Sequence, residues 1–165
     1  ITGTINSSVT FGPSIKGELS WTRIAYSDFD DDSKDNMKWG MFNKGGNMSE
    51  LYKGKHAHSD ETAIMIKADE GEDSSVYTDP MNVSTYEKLR VGFLYRMFRF
   101  KGSDTFLLEY SVNKAKSWIK VEEWGKGRNW EEVIENNEID TSNIDSIQIR
   151  FRCSSKSQRE FVLLD

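Results

Sequence analysis

The chain has 165 residues, with 27 acidic and 22 basic side chains and a formal net charge of -5. A chain of this length suits one domain with a single core, and 12% aromatic residues with only two prolines argue against disorder. The acidic balance argues against a nucleic-acid-binding protein. No stretch approaches the roughly 18 consecutive apolar residues of a membrane-spanning helix. We therefore predict neither nucleic-acid binding nor membrane insertion.

Residues 1–27 are expected to form an N-terminal arm or an additional strand, ahead of one domain over residues 28–165. The first four residues include no Met and show no signal-peptide profile, which is typical of a mature or excised fragment.

Residues 28–54 are the least regular part of the sequence and predict a long loop with at most one short strand, over 39–42. Acids stand at the first, third and fifth positions from Asp28, as at the start of an EF-hand loop. However, Ser33 replaces the glycine of the sharp turn, and Trp39 replaces the bidentate glutamate. The pattern argues against an EF-hand but leaves two alternatives, a calcium ion that holds the carboxylates together and a solvated acidic loop.

The later sequence is dominated by strand patterns, of which 146–153 is the clearest because its odd positions are all apolar and its even positions all polar. The predicted strands are 62–68, 75–78, 89–97, 105–110, 118–124, 146–153 and 161–164. Turn residues at 101–104 predict a hairpin that joins 89–97 to 105–110. A short helix is expected over 129–135. The spacing favours an all-β fold, a two-sheet antiparallel β-sandwich of the jelly-roll type.

The segment 111–118 is similar to the Asp box of sialidases, Ser-x-Asp-x-Gly-x-Thr-Trp, with Asn for Asp and Ala for Gly. One copy predicts a structural hairpin turn, in which Ser111 and Asn113 satisfy backbone groups while Trp118 packs under the turn. Further along, Cys153 lies in the clearest strand, so we expect a buried small hydrophobe.

A candidate ligand surface comes from the outward positions of two strands, if they share a sheet. Forked arginine donors suit carboxylate, sulfate or hydroxyl groups. An equally weighted alternative is a solvated face with cross-strand Glu–Arg pairs. Aromatic residues in or near loops are alternative stacking platforms. The candidate ligand-binding residues are Arg90, Arg96, Arg150, Arg152, Trp39 and Tyr52.

The sequence contains none of the common hydrolase or phosphate-loop motifs. Glu109, Glu122 and Glu123 could form a catalytic pair on neighbouring strands, although exposed strand acids are the favoured interpretation. We therefore predict no enzyme and no catalytic residue. Three Asn-x-Ser sequons, at Asn6, Asn47 and Asn82, favour secretion or display at the cell surface.

The order of these patterns over residues 28–165 resembles a family of jelly-roll modules in secreted proteins, related to MAM adhesion domains and calcium-containing carbohydrate-binding modules. The resemblance depends on an acidic-aromatic opening at 28–30, on 43–46, on a His-Ser turn into a strand at 58–64, and on the segments 106–111, 117–118, 149–153 and 161–165.

The resemblance implies a structural calcium ion that joins the two ends of the domain. Asp30 would replace the family's glutamate, the turn from His58 to Asp60 would supply backbone carbonyls, and Asp165 would supply a carboxylate. The predicted metal ligands are Asp28, Asp30, His58, Asp60 and Asp165.

Together, the patterns and the resemblance predict a non-catalytic extracellular module that contains calcium and binds carbohydrate or a cell-surface glycan. One alternative is a protein–protein adhesion or scaffold module, with other extracellular proteins as partners. The other is a jelly-roll glycoside hydrolase or lyase that uses the three glutamates named above.

Overall fold

The computed structural model describes residues 9–15, 18–27, 29, 38–39, 41–46, 48–58, 62–67, 74–125, 131–133, 138–155 and 159–165. Within these ranges the chain forms sixteen β-strands and no helix. The strands are β1 (Val9–Ile15), β2 (Glu18–Trp21), β3 (Ala25–Ser27), β4 (Lys38–Trp39), β5 (Phe42–Gly45), β6 (Ser49–Lys53), β7 (Thr62–Lys67), β8 (Ser74–Thr78), β9 (Met81–Asn82), β10 (Lys88–Phe98), β11 (Thr105–Ser111), β12 (Ile119–Trp124), β13 (Glu131–Val133), β14 (Glu138–Asp140), β15 (Ser146–Ser154) and β16 (Phe161–Leu164).

The strands form two antiparallel sheets. The first sheet has the order β2-β1-β10-β16-β7-β6, and β3, β13 and β14 pair with members of this path. The second sheet has the order β12-β11-β15-β8-β5-β4, with β9 paired to β15. One buried cluster contains residues from both sheets, so the sheets pack face to face. The predicted all-β, two-sheet antiparallel sandwich is confirmed.

The core lies between the sheets because the strands alternate apolar and polar residues. On β15, every second side chain from Ile147 to Cys153 is fully buried, as the period-two pattern predicts, and Cys153 is the expected buried hydrophobe. Across the interface the ring of Phe93, on β10, lies 4.7 Å from that of Phe151. Each large apolar side chain buried in this way contributes about 1.5–3 kcal/mol.

The predicted hairpin between β10 and β11 is wrong, because the two strands belong to different sheets. The turn itself forms: the Asp104 N–H donates to the Lys101 carbonyl at 2.9 Å, and the Lys101 N–H donates to Asp104 Oδ2 at 2.7 Å. Just before it, Arg99 has a positive φ of 60°. The chain therefore leaves the first sheet after Phe98 and enters the second at Thr105.

Two other local predictions are also wrong. The expected helix over 129–135 is replaced, at 131–133, by strand β13, which pairs with β10. The expected loop over 28–54 contains β4, β5 and β6, and β5 and β6 pair with longer strands. Short strands at or near the edge of a sheet carry a weak local pattern, because their neighbours supply the pairing.

Residues before the predicted domain start belong to the first sheet. Strand β1 pairs with β10 from Thr10 opposite Gly92 to Ser14 opposite Lys88, and β2 and β3 both pair with β1. The described part of the chain contains no helix long and apolar enough to cross a membrane.

Candidate functional site

The outer surface of the second sheet carries a row of polar and aromatic side chains. Glu109 on β11 lies opposite Arg150 on β15, and Arg150 lies opposite Tyr77 on β8. Residues paired in this way point to the same side of a sheet. With Arg152 two positions further along β15, and Trp118 ahead of β12, they define a surface that we call the arginine–tryptophan face: Glu109, Arg150, Arg152, Tyr77 and Trp118.

Glu109 holds the two arginines of this face. Its side chain is 6% exposed, whereas those of Arg150 and Arg152 are 18% and 20% exposed. Arg150 Nε donates to Glu109 Oε2 at 2.7 Å, and Arg152 donates to both carboxylate oxygens at 3.1 and 3.2 Å. Hydrogen bonds between ionised groups are stronger than neutral ones, so both guanidinium groups are fixed near the surface.

Trp118 contacts two other members of the face. The Arg150 guanidinium carbon lies 4.2 Å from the centre of the Trp118 ring, within the range of a cation–π interaction. The Tyr77 ring meets Trp118 edge to face, with the ring centres 6.2 Å apart. The aromatic and cationic groups therefore form one contiguous surface.

The turn that presents Trp118 has the predicted hydrogen bonds. The Asn113 and Ala115 N–H groups donate to Ser111 Oγ, and the Ser117 N–H donates to Asn113 Oδ1 at 3.0 Å. Lys114 and Ala115 both have positive φ, at 59° and 61°, as in a type I′ hairpin turn. The turn joins β11 to β12 and fixes the position at which Trp118 enters the face.

Gly45 allows close packing at the Tyr77 end of the arginine–tryptophan face. A Cβ at this position would lie 2.2 Å from Ser75 Oγ and 3.2 Å from Tyr77 Cδ1, so the absence of a side chain permits Tyr77 to lie against the strand. Beside it, Asn43 Nδ2 donates to Asp79 Oδ1 at 2.9 Å.

Gln148 continues the same outer surface along β15. Its side chain is largely buried, and its Nε2 donates to the Thr78 carbonyl at 2.9 Å. The Gln148 Oε1 atom is buried without a hydrogen-bond partner among the described residues. Buried acceptors generally have a partner in protein or ordered water.

The four candidate arginines do not share a sheet. The single ligand surface predicted from them is therefore wrong, because two arginines lie on each sheet. Arg90 and Arg96 lie on the outer side of the first sheet. Arg90 Nε donates to Glu138 Oε1 at 2.9 Å, and its guanidinium carbon lies 3.8 Å from the centre of the Trp21 ring. Arg96 lies over the Phe98 ring at 4.7 Å. The cross-strand Glu–Arg pairs of the alternative interpretation occur in both sheets.

The two aromatic candidates are also separate from the arginine–tryptophan face. Tyr52, on β6, packs at the outer side of the first sheet against a small apolar cluster centred on Ala63, Met65 and Leu163. Trp39 lies on β4 at the end of the second sheet, and its side chain lies outside the described residues.

The predicted metal ligands fall only partly within the described chain. Asp165 is fully buried, and its Oδ2 accepts a hydrogen bond from the His58 backbone N–H at 3.2 Å. This contact joins the loop after β6 to the end of β16 through a backbone N–H, whereas the predicted site would use backbone carbonyls of the same turn. Asp28, Asp30 and Asp60 lie outside the described residues. No group of three or more His, Cys, Asp or Glu side chains placed to hold a metal occurs in the ranges that the structure describes, and calcium stays a prediction.

Three exposed groups near strand edges have shifted pKa values. Hydrogen bonds from Lys88 and then Arg90 lower the pKa of Glu138. Hydrogen bonds from Ser142, first its backbone N–H, lower the pKa of Asp140. The hydrogen bond to Glu123 raises the pKa of Lys120.

The three glutamates considered for catalysis each contact groups of the protein. Glu109 binds Arg150 and Arg152 as described. Glu123 accepts from Lys120 Nζ at 2.8 Å, and Glu122 Oε1 accepts the Glu123 backbone N–H at 3.0 Å. Glu122 and Glu123 are exposed strand acids, as the favoured interpretation expects, whereas Glu109 is buried and paired with two arginines.

The association of Trp118 and Tyr77 with Arg150 was not predicted from the sequence. The alternation on 146–153 placed Arg150 on an outer surface, and the Asp-box-like turn singled out Trp118. The missing information was the order of strands β12-β11-β15-β8, which brings the three side chains together.

Searches with the sequence match no protein-family model and no curated protein. Among solved structures, the chain is similar to TmCBM61, a carbohydrate-binding module in complex with β-1,4-galactotriose. The identity is 16% and the TM-score is 0.49, over 75% of this chain and 82% of that chain. Similarity at this level assigns no ligand, and the β-sandwich is established by the strand pairing described above. The resemblance to MAM domains stays a prediction.

Proposed function

We propose that this chain is a non-catalytic carbohydrate-binding module, exported from the cell, that holds a sugar against the arginine–tryptophan face. The observation that carries the proposal is the contiguous surface of Trp118, Tyr77 and Arg150, with the guanidinium group fixed by a buried glutamate. Ligand sites typically combine aromatic surface with a small number of accurately placed polar groups. The apolar face of a sugar ring suits an aromatic side chain, and sugar hydroxyls suit the forked donors of arginine.

Preorganisation supports this proposal further. Binding is weakened when flexible side chains must be ordered by the ligand. Here Glu109 restrains both arginines, and the turn of 111–117 fixes the chain ahead of Trp118. The arginine donors and the Trp118 ring would therefore already be in position before a ligand binds.

A glycan array of neutral, uronate-containing and sulfated oligosaccharides, followed by calorimetry on the best binder, tests the proposal. We expect W118A to weaken binding about 30-fold, since losing a central aromatic anchor costs about 2 kcal/mol. W21A is the matched control, because Trp21 stacks on Arg90 at 3.8 Å in the other sheet, and it should bind like the wild type. Absence of any glycan ligand, or equal binding by W118A and the wild type, would contradict the proposal.

We also propose calcium as a structural ion near Asp165. What supports this is a fully buried carboxylate in a position where the loop after β6 meets β16, because hard dications bind through oxygen ligands. At a calcium concentration 100 times its Kd, binding stabilises the fold by about 2.7 kcal/mol, or about 5–11 °C in Tm for a chain of this size.

Thermal unfolding in calcium and in a chelator tests the ion. D165N should lose the calcium-dependent rise in Tm. D104N should keep it, because Asp104 is a similarly buried carboxylate whose partner is the Lys101 backbone. An identical Tm of the wild type in calcium and chelator would show that the calcium prediction is wrong.

A further inference from the structure

Asn82 is the last residue of β9, and the turn that follows leaves the first and third residues of its sequon exposed to solvent. Asn82 and Ser84 are exposed, whereas Val83 between them is fully buried. The Val83 N–H donates to the Asp145 carbonyl at 2.9 Å, and the Val83 carbonyl accepts the Tyr86 N–H at 3.0 Å. The sequon is therefore anchored through its middle residue, Val83.

The backbone N–H and the hydroxyl of Ser84 both contact the Asn82 side chain. The Ser84 backbone N–H donates to Asn82 Oδ1 at 3.0 Å, and the Ser84 hydroxyl donates to the same atom at 2.8 Å. Because a backbone N–H can only donate, the amide oxygen must face Ser84, and the Nδ2 atom points the other way. Asn and Asp side chains form such local turns readily.

We propose that Asn82 is an N-glycosylation acceptor. The co-reactant is an oligosaccharide linked to a lipid pyrophosphate and transferred by an oligosaccharyltransferase. A bond forms between Asn82 Nδ2 and C1 of the first sugar. The bond from C1 to the phosphate oxygen breaks, the lipid pyrophosphate leaves with the electron pair, and Nδ2 loses one proton to a base. An Asn-x-Ser sequence is the pattern that this chemistry requires, and because the Asn82 residue is exposed, the folded domain can carry the glycan without displacing its core.

The position of Asn82 also determines where the glycan stands. Asn82 pairs with Ser146 on β15. The side chains of this pair lie on the same side of the second sheet as Arg150. Arg150 lies four positions after Ser146 on β15, which corresponds to about 13 Å along the strand. The glycan would therefore extend from the outer surface that also carries the arginine–tryptophan face. The modification does not depend on the proposed function.

To test this, the chain is expressed with a secretion signal in cultured animal cells, and its glycopeptides are identified by mass spectrometry. Peptide-N-glycosidase in heavy-oxygen water marks each glycosylated asparagine as heavy aspartate. We expect the mark at position 82 in the wild type and in S84T, which retains the hydroxyl. N82Q and S84A should lose it. N6Q and N47Q, at the other two sequons, should keep it.

Occupancy is measured on both the microsomal and the secreted protein, and near-ultraviolet circular dichroism confirms that each variant is folded. Folded wild-type protein with an unmodified position 82 would overturn the proposal. So would S84A that keeps wild-type occupancy, because the hydroxyl would then have no role in recognition. Neither result depends on whether the domain binds a sugar.

Discussion

Replacing Glu109 by glutamine should destabilise the domain, because two arginines depend on this carboxylate. Glu109 is 5% exposed as a whole residue and binds Arg150 and Arg152 at distances from 2.7 to 3.2 Å. Glutamine keeps the size of the side chain and one acceptor oxygen but removes the charge. The substitution therefore leaves two partly buried guanidinium groups without the negative charge between them.

The magnitude follows from the exposure of the three side chains. Breaking a fully buried ion pair costs about 3–5 kcal/mol, and one hydrogen bond to a charged group contributes about 1.5–3 kcal/mol. The arginines retain about a fifth of their exposure, so solvent compensates part of the loss. We expect a decrease of about 2–3 kcal/mol in the free energy of unfolding, which corresponds to about 4–12 °C in Tm.

Urea denaturation followed by tryptophan fluorescence measures this change. E50Q is the matched control, because Glu50 is 52% exposed and pairs with Lys67 at the surface, where such pairs contribute about 0–1 kcal/mol. If E109Q unfolded at the same urea concentration as E50Q, the structural role assigned to Glu109 would be wrong. A glycan ligand should also bind E109Q more weakly, since the arginines lose their restraint.

Three smaller perturbations test other parts of the structure. A115G should raise stability by about 0.5–1 kcal/mol in urea denaturation, because Ala115 has a φ of 61° that suits glycine. G45A should cost about 1–3 kcal/mol and weaken sugar binding, since its Cβ would overlap Ser75 Oγ. E138Q should be less stable than the wild type at neutral pH, and the difference should vanish as pH falls through the lowered pKa of Glu138.

Each of these has a control or a contrary outcome. G102A should lower stability, because Gly102 has a φ of 55° with no atom near its Cβ position; a gain would contradict the backbone argument for Ala115. G125A should change little, since its Cβ would lie 3.5 Å from the nearest atom. For Glu138, a stability difference that persists below both the folded and the unfolded pKa would show that the ion pairs are not its cause.

Local patterns predicted the central strands well. The alternation over 146–153 and 89–97 depends on burial of one side of a strand, and β15 and β10 occupy these positions. The Asp-box-like turn was also predictable, because its hydrogen bonds join residues close in sequence. Its Asn and Ser side chains bond to backbone groups whatever surrounds them.

Predictions that depended on distant partners failed. The glutamate-rich segment near 131–133 suggested a helix, but pairing with β10 makes it a strand, since tertiary context overrides weak local preference. The turn at 101–104 was found, yet nothing in its residues specifies whether the next strand joins the same sheet. The four arginines were assigned to one surface for the same reason.

Strand β16 follows β7 and β10 in the chain but lies between them in the first sheet. A growing chain emerges in sequence order, so β7 and β10 would be made well before the strand that bridges them. Until then both would present unpaired edges, which favour association with other chains. Long-range pairing of this kind also slows folding. Completion of the first sheet is therefore coupled to the synthesis of residues 161–164.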